Sequence, residues 1–181
     1  MPSTRWAASS AHYKTTATIA ICLASAATAD VTIKGRTLYK DGNWNTICLP
    51  FRLDADQIAA SSLAGATIMA LDLFGYYDAE GTRYLYYDAN YKQTSLDNES
   101  GTLYLYFKPA TEIEDGTPYL IKWSSGEDIT ADLTFEGVEV IDSPHPLTSE
   151  DRNFSFVGTF SPVPLAKDDK SNLFIGVGKN D

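Results

Sequence analysis

From Val31 onward, apolar residues recur at every second position over short stretches, and turn formers interrupt each stretch before it reaches the length of an ordinary helix. A period of two places successive side chains on opposite faces of a strand. In WNTICLPF, Ile47, Leu49 and Phe51 fall on one face, and Trp44, Thr46 and Cys48 on the other. Pro50 cannot donate to a ladder, so this strand ends there or lies at a sheet edge. Residues 153–160 alternate as clearly, with Phe154, Phe156 and Gly158 against Ser155, Val157 and Thr159. Further strands are expected at 31–33, 36–39, 66–74, 82–88, 102–108, 118–123, 133–135, 138–141 and 173–177. Turn chemistry separates them, as at Asp41-Gly42-Asn43 and Asp115-Gly116, because Gly and Asn tolerate positive φ. One short helix is expected over 53–60, with Asp54 as N-cap, Asp56 and Gln57 in its first turn and Ile58 as its apolar contact. Gly65 would stop it. The expected class is all-β: a β-sandwich or jelly-roll-like arrangement of antiparallel sheets with one short helix.

The first 29 residues read differently. Arg5 and Lys14 are their only charged groups, and Thr15 to Ala29 is uncharged. Ala27-Thr28-Ala29 supplies small residues where a signal peptidase cuts, and Asp30 follows. The expectation is a secretion signal over 1–29 and one β-sandwich domain over 30–181. The alternatives are an apolar N-terminal extension or a misassigned start. The segment is too short and too rich in Thr and Ser for a membrane-spanning helix, so no membrane insertion is expected once it is removed. Removing Arg5 and Lys14 takes the formal charge from −10 to −12.

That charge bears on partners. With 14 basic against 24 acidic residues and no basic cluster, nucleic acid is a poor ligand. Removal of the signal would also take Cys22, leaving Cys48 alone, so no internal disulfide holds the fold. A packed thiol is the reading for Cys48, since a nucleophile needs a base and the sequence offers only His12 and His145. His145 lies between two prolines and reads as a solvated loop residue. No zinc spacing, EF-hand, phosphate loop or dinucleotide fingerprint occurs, so no metal or cofactor is expected. The acidic pairs Glu127-Asp128 and Asp168-Asp169 offer oxygen ligands for calcium, but without a calcium-loop spacing.

Three segments together carry a resemblance: RTLYKDGNWNTICLPF at 36–51, DGTPYLIKW at 115–123 and KDDKSNLFIGVG at 167–178. In order and spacing they resemble a β-rich module of secreted and cell-surface proteins of gut Bacteroidetes, including adhesin-like and leucine-rich-repeat proteins. The resemblance spans about 31–178. It implies an extracellular module of unknown function and carries no catalytic signature. Members of that family continue past NLFIGVG, so it also implies a naturally short protein or a fragment, with an unprotected strand edge near 173–177.

Eight of the 11 tyrosines lie between Tyr76 and Tyr106. If strands 82–88 and 102–108 pair, Tyr84, Tyr86, Tyr104 and Tyr106 form a flat aromatic patch that stacks on sugar rings or anchors a protein partner. The plainer reading is cross-strand tyrosine pairing that stiffens the sheet. Trp44 and Trp123 flank apolar runs and read as packing residues. Asp72 lies inside an apolar run, and burial there demands a partner, with Arg52 and Arg83 the candidates. The leading expectation is a non-catalytic module for adhesion or assembly at a cell surface, its partner a glycan or surface protein. A carbohydrate-binding module using the tyrosines is one alternative. A hydrolase with unidentified acidic residues is another, and it would need a buried carboxylate pair in a deep pocket.

Overall fold

The computed structural model describes residues 28–77, 80, 82–85, 92–150, 152–161 and 164. Most of the expected signal segment, the acidic pair Asp168-Asp169 and the strand expected at 173–177 lie outside them. The strands are β1 (Thr28–Ile33), β2 (Asn45–Cys48), β3 (Thr67–Leu71), β4 (Gly75–Tyr77), β5 (Arg83–Leu85), β6 (Ser95–Asp97), β7 (Thr102–Tyr104), β8 (Phe107–Pro109), β9 (Pro118–Lys122), β10 (Leu133–Glu139), β11 (Leu147–Thr148) and β12 (Ser155–Phe156). The helix α1 (Ala55–Ala60) interrupts them between β2 and β3. The pairings are antiparallel and the class is all-β.

A four-stranded sheet in the order β2-β9-β3-β8 forms the centre. Its register puts Ile47, Tyr119 and Ala70 side by side, and Asn45 beside Ile121 and Ile68. These point into one hydrophobic cluster with Leu49, Phe51, Phe135 and Val138. The ribbon β1–β10 covers that cluster, and the Phe51 and Phe135 rings meet at 5.0 Å between centroids. Burying each such side chain stabilises by roughly 1.5–3 kcal/mol. β2 is an edge strand that ends before Pro50, as the missing donor requires.

The opposite sheet face carries Thr46, Cys48, Leu120, Met69, Leu71 and Phe107. Residues 154–158 run against it, and Phe156 meets Phe107 edge-on at 6.2 Å. Gly158 is buried against Cys48, where a Cβ would overlap the cysteine's Sγ and Cβ. The alternation seen at 154–159 is therefore an inward face of Phe154, Phe156 and Gly158, although only Ser155 and Phe156 form ladder pairs.

α1 starts where the sequence places it. Asp54 accepts the Gln57 N–H at 2.8 Å, and the Gln57 side chain accepts the Asp54 N–H at 2.9 Å. The helix ends at Ser61, whose hydroxyl donates to the Ile58 carbonyl at 2.9 Å, rather than running on to Gly65. Leu53, expected in the helix, instead bridges to Ile113.

Two expected strands, 133–135 and 138–141, are one strand with a bulge. Between the pairs Val31–Phe135 and Ala29–Val138, Glu136 and Gly137 together face Asp30. Gly137 has φ 63°, and its N–H donates to Asp30 Oδ1 at 3.0 Å. The extra residue restores the phase, so Phe135 and Val138 are both buried although three positions apart. The reverse occurs at 102–108, where one expected strand is two. At Leu105-Tyr106 the chain leaves its hairpin partner and joins β3.

Buried Asn45 has no counterpart among the sequence expectations. Its Oδ1 accepts the Tyr39 N–H at 2.9 Å and its Nδ2 donates to the Tyr39 carbonyl at 2.9 Å, so its amide does the work of a ladder residue.

Gly137→Ala should destabilise the chain by roughly 1–2 kcal/mol in urea unfolding, because no atom lies within 4 Å of the added methyl and the cost is that of left-handed backbone alone. Asn45→Ala should cost roughly 1–3 kcal/mol by leaving the Tyr39 peptide groups without partners. Unchanged unfolding midpoints in either variant would contradict these assignments.

Candidate functional site

Two hairpins, β4–β5 and β6–β7, grow from one buried point at the end of β3. Asp72 there is 1% exposed and Thr94 is 2% exposed. The Asp72 N–H donates to the Tyr106 carbonyl at 2.7 Å, and the Asp72 carbonyl accepts the Thr94 hydroxyl at 2.9 Å. That same hydroxyl oxygen accepts the Tyr106 N–H at 3.0 Å. Thr94 thus links the entry of one hairpin to the exit of the other. A fourth bond, from the Phe74 N–H to Asp72 Oδ1 at 3.1 Å, turns the chain out toward β4.

This arrangement accounts for the buried carboxylate singled out above. Arg52 is not its partner, because Arg52 forms ion pairs with Glu112 and, at 3.5 Å, with Glu114 on the protein surface. The Arg83 side chain lies outside the described portion of the chain. Asp72 serves as a hairpin anchor through both its backbone and its carboxylate. No other carboxylate is buried among the described residues.

Among the described residues, Tyr84 and Tyr104 lie in different two-stranded sheets and not in the one expected of them. β5 pairs with β4, placing Tyr84 opposite Tyr76. β7 pairs with β6, placing Tyr104 opposite Ser95. Each strand takes the neighbour reached through a short turn, which costs less loop entropy than closing the longer segment between Leu85 and Thr102. Tyr84 is half-buried. Tyr104 is 46% exposed. Tyr106 is half-buried at the anchor, and Tyr86 lies outside the described residues. Phe74, which sequence reasoning assigned to a strand and not to a site, is 61% exposed beside the same anchor.

The β6–β7 turn is held by Asp97, which accepts the Ser100 hydroxyl at 2.6 Å and the Glu99 N–H at 2.9 Å. The Ser100 hydroxyl first, then the backbone donors, hold the Asp97 carboxyl below its ordinary range. Its contribution to the hairpin is therefore present above the ordinary carboxylate range and is lost as pH falls through the lowered value.

Other candidates resolve into structural roles. Trp123 is buried and donates its Nε1–H to the Ala64 carbonyl at 2.9 Å, with the Lys40 ammonium 4.9 Å from its ring. Trp44 is half-buried under Lys122 at 4.4 Å. His145 is tied to the 115–116 turn: its N–H donates to the Gly116 carbonyl at 2.8 Å, and its Nδ1 lies 3.1 Å from the Asp115 carbonyl. Asp128 accepts the Lys40 N–H at 2.8 Å. Among the described residues no group of three or more His, Cys, Asp or Glu side chains converges as a metal site. None of the described helices is long and apolar enough to cross a membrane. Comparison with protein-family models, curated proteins and solved structures returned no match.

Burial pushes the Cys48 thiol up to about 11, against a smaller opposing pull from the Arg36 guanidinium. Burial likewise raises the Tyr119 phenol, with the Glu114 N–H opposing it. Both groups are held neutral by the fold. The Cys48 contribution to stability is complete at neutral pH and declines as pH climbs above the ordinary thiol value of 9.0 toward about 11; that of Tyr119 declines as pH climbs above the ordinary phenol value of 10.0. In a Cys22→Ser background, the pH profile of Cys48 alkylation should have its midpoint near 11. A midpoint near 9.0 would mean the thiol is not packed as described.

Proposed function

We propose that this chain is a non-catalytic extracellular module for adhesion or assembly at a cell surface, and that its contact surface is the pair of anchored hairpins. The observation that carries this reading is the exposure of Phe74 (61%) and Tyr104 (46%) beside a fully buried polar anchor. An aromatic ring left in water on a flexible loop would lose conformational entropy on binding. On a hairpin whose root is fixed by Asp72 and Thr94, less of that entropy remains to be lost. Exposed aromatic residues on firm supports are the usual anchors of protein interfaces. The exposed face of Tyr104 also supports the second reading, a carbohydrate-binding module in which a sugar ring stacks on it.

The two readings separate on one pair of measurements. Phe74→Ser/Tyr104→Ser should unfold within about 0.5 kcal/mol of the parent, as expected for surface changes. The same variant should lose saturable binding of the labelled chain to cells of its source organism, read by flow cytometry. Binding that survives both substitutions removes this surface from consideration. Retention on a polysaccharide array that disappears with Tyr104→Ala would favour the sugar reading.

A further inference from the structure

Among the described residues β10 has one strand partner, β1, in a two-stranded ribbon. Its other edge faces a cavity of about 400 Å³ whose lining includes the consecutive residues Thr134, Phe135 and Glu136. Successive side chains of a strand point to opposite faces. Thr134 and Phe135, which precede the bulge and point to opposite faces, both line it, so the cavity runs along the strand. The opposing wall is α1 and its flanks, through Leu53, Gln57, Ala60 and Ser61. A second cavity, of about 430 Å³, shares Gln57 and Val138 with the first and extends past Gly137 and Glu139 to Asp115, Arg52 and Ile141, reaching Thr28 at the end of β1. Together they make a groove with a helix on one side and, on the other, a strand edge that no described strand pairs with.

We propose that this groove binds an extended peptide segment of net positive charge, which adds to β10 as a further strand. The edge supplies the main-chain chemistry. In an antiparallel strand every second residue turns both its N–H and its C=O away from its partner, and those groups form a template for another chain. Exposed Ala60 and half-buried Ile141 give the incoming strand a small apolar footing, since Leu53, Phe135 and Val138 on the same lining are buried in the core. The charge preference comes from the walls. Glu136, Glu139 and Asp115 line the groove and form no ion pair among the described residues. Arg52, the positive side chain at that end, is already engaged by Glu112 and Glu114. A second copy of the chain is a poor occupant, because its formal charge of −10 would meet the same carboxylates. This site is separate from the aromatic hairpins and does not depend on their role.

The test begins with selection of a phage-displayed library of random peptides on the immobilised full chain, in parallel with Ala60→Trp. Ala60 is exposed, so the indole fills the groove without entering the core. Wild-type chain should enrich sequences that alternate apolar residues with Lys or Arg. A synthetic, fluorescein-labelled winner should bind at least about tenfold more weakly to Ala60→Trp, a loss of about 1.4 kcal/mol. Glu136→Lys/Glu139→Lys should weaken it similarly while leaving the thermal midpoint unchanged, which keeps the test decisive if the tryptophan variant fails to fold. Tyr104→Ala should have no effect. Amides in residues 134–139 should exchange freely in the isolated chain and gain protection with peptide. No enrichment over Ala60→Trp, equal affinity in the charge-reversed variant, or protection gained elsewhere would each overturn the proposal. So would amides already protected in the free chain, which would show that another copy or another segment holds the edge.

Discussion

The fold depends on β9 being buried on both faces. Pro118, Tyr119, Leu120 and Ile121 are all buried in sequence, so neither side of this strand can face water. A central strand of this kind forces two coverings. One is the β1–β10 ribbon, which closes over Tyr119 and Ile121 with Phe135 and Val138. The other includes residues 154–158, which lie against the face carrying Cys48 and Phe107. Pro118 is tolerated in this central strand because it is the first residue, where a missing donor removes least from the ladder.

Polar groups inside this apolar frame are few, and each replaces a backbone partner. Asn45 stands in for a neighbouring strand at Tyr39. Thr94 stands in for one at Tyr106. Ser149 does the same in the β11–β12 hairpin, accepting the Phe154 N–H at 3.1 Å. No buried side-chain nitrogen or oxygen among the described residues lacks a hydrogen bond. Such groups cost little when satisfied and much when not, so they fix where the chain departs from regular ladders. The hairpins that bear Phe74 and Tyr104 emerge at one of these departures.

The period-two pattern is a strong signal wherever one face is buried and the other is not. That is why the faces of 44–51 and 154–159 are legible in the sequence, and why Asp54 and Gln57 mark the helix start. The pattern fails where the backbone changes phase. At Gly137 the bulge made one strand look like two, and at Leu105-Tyr106 unbroken alternation concealed a change of partner. Pairing was the harder problem. Alternation says which residues share a face but not which strand lies alongside, so it leaves open a shared sheet for Tyr84 and Tyr104, whereas each belongs to its own hairpin. Asn45, Thr94 and Phe74 carried no local signal, because each matters only through residues distant in sequence. The groove beside β10 is of the same kind, since its two walls come from residues 53–61 and 134–139.

The contact between Gly158 and Cys48 has a consequence for the chemistry of the surroundings. A disulfide requires a second cysteine whose Cα approaches to about 5–6 Å with its Cβ aimed inward. At Cys48 the backbone of residue 158 already occupies that approach, so tightly that no side chain fits there. Oxidative cross-linking of two molecules through this sulfur would first have to peel the 154–158 segment from the sheet. A glycine, by having nothing to offer, packs on the sulfur and limits the approach of a second thiol to it.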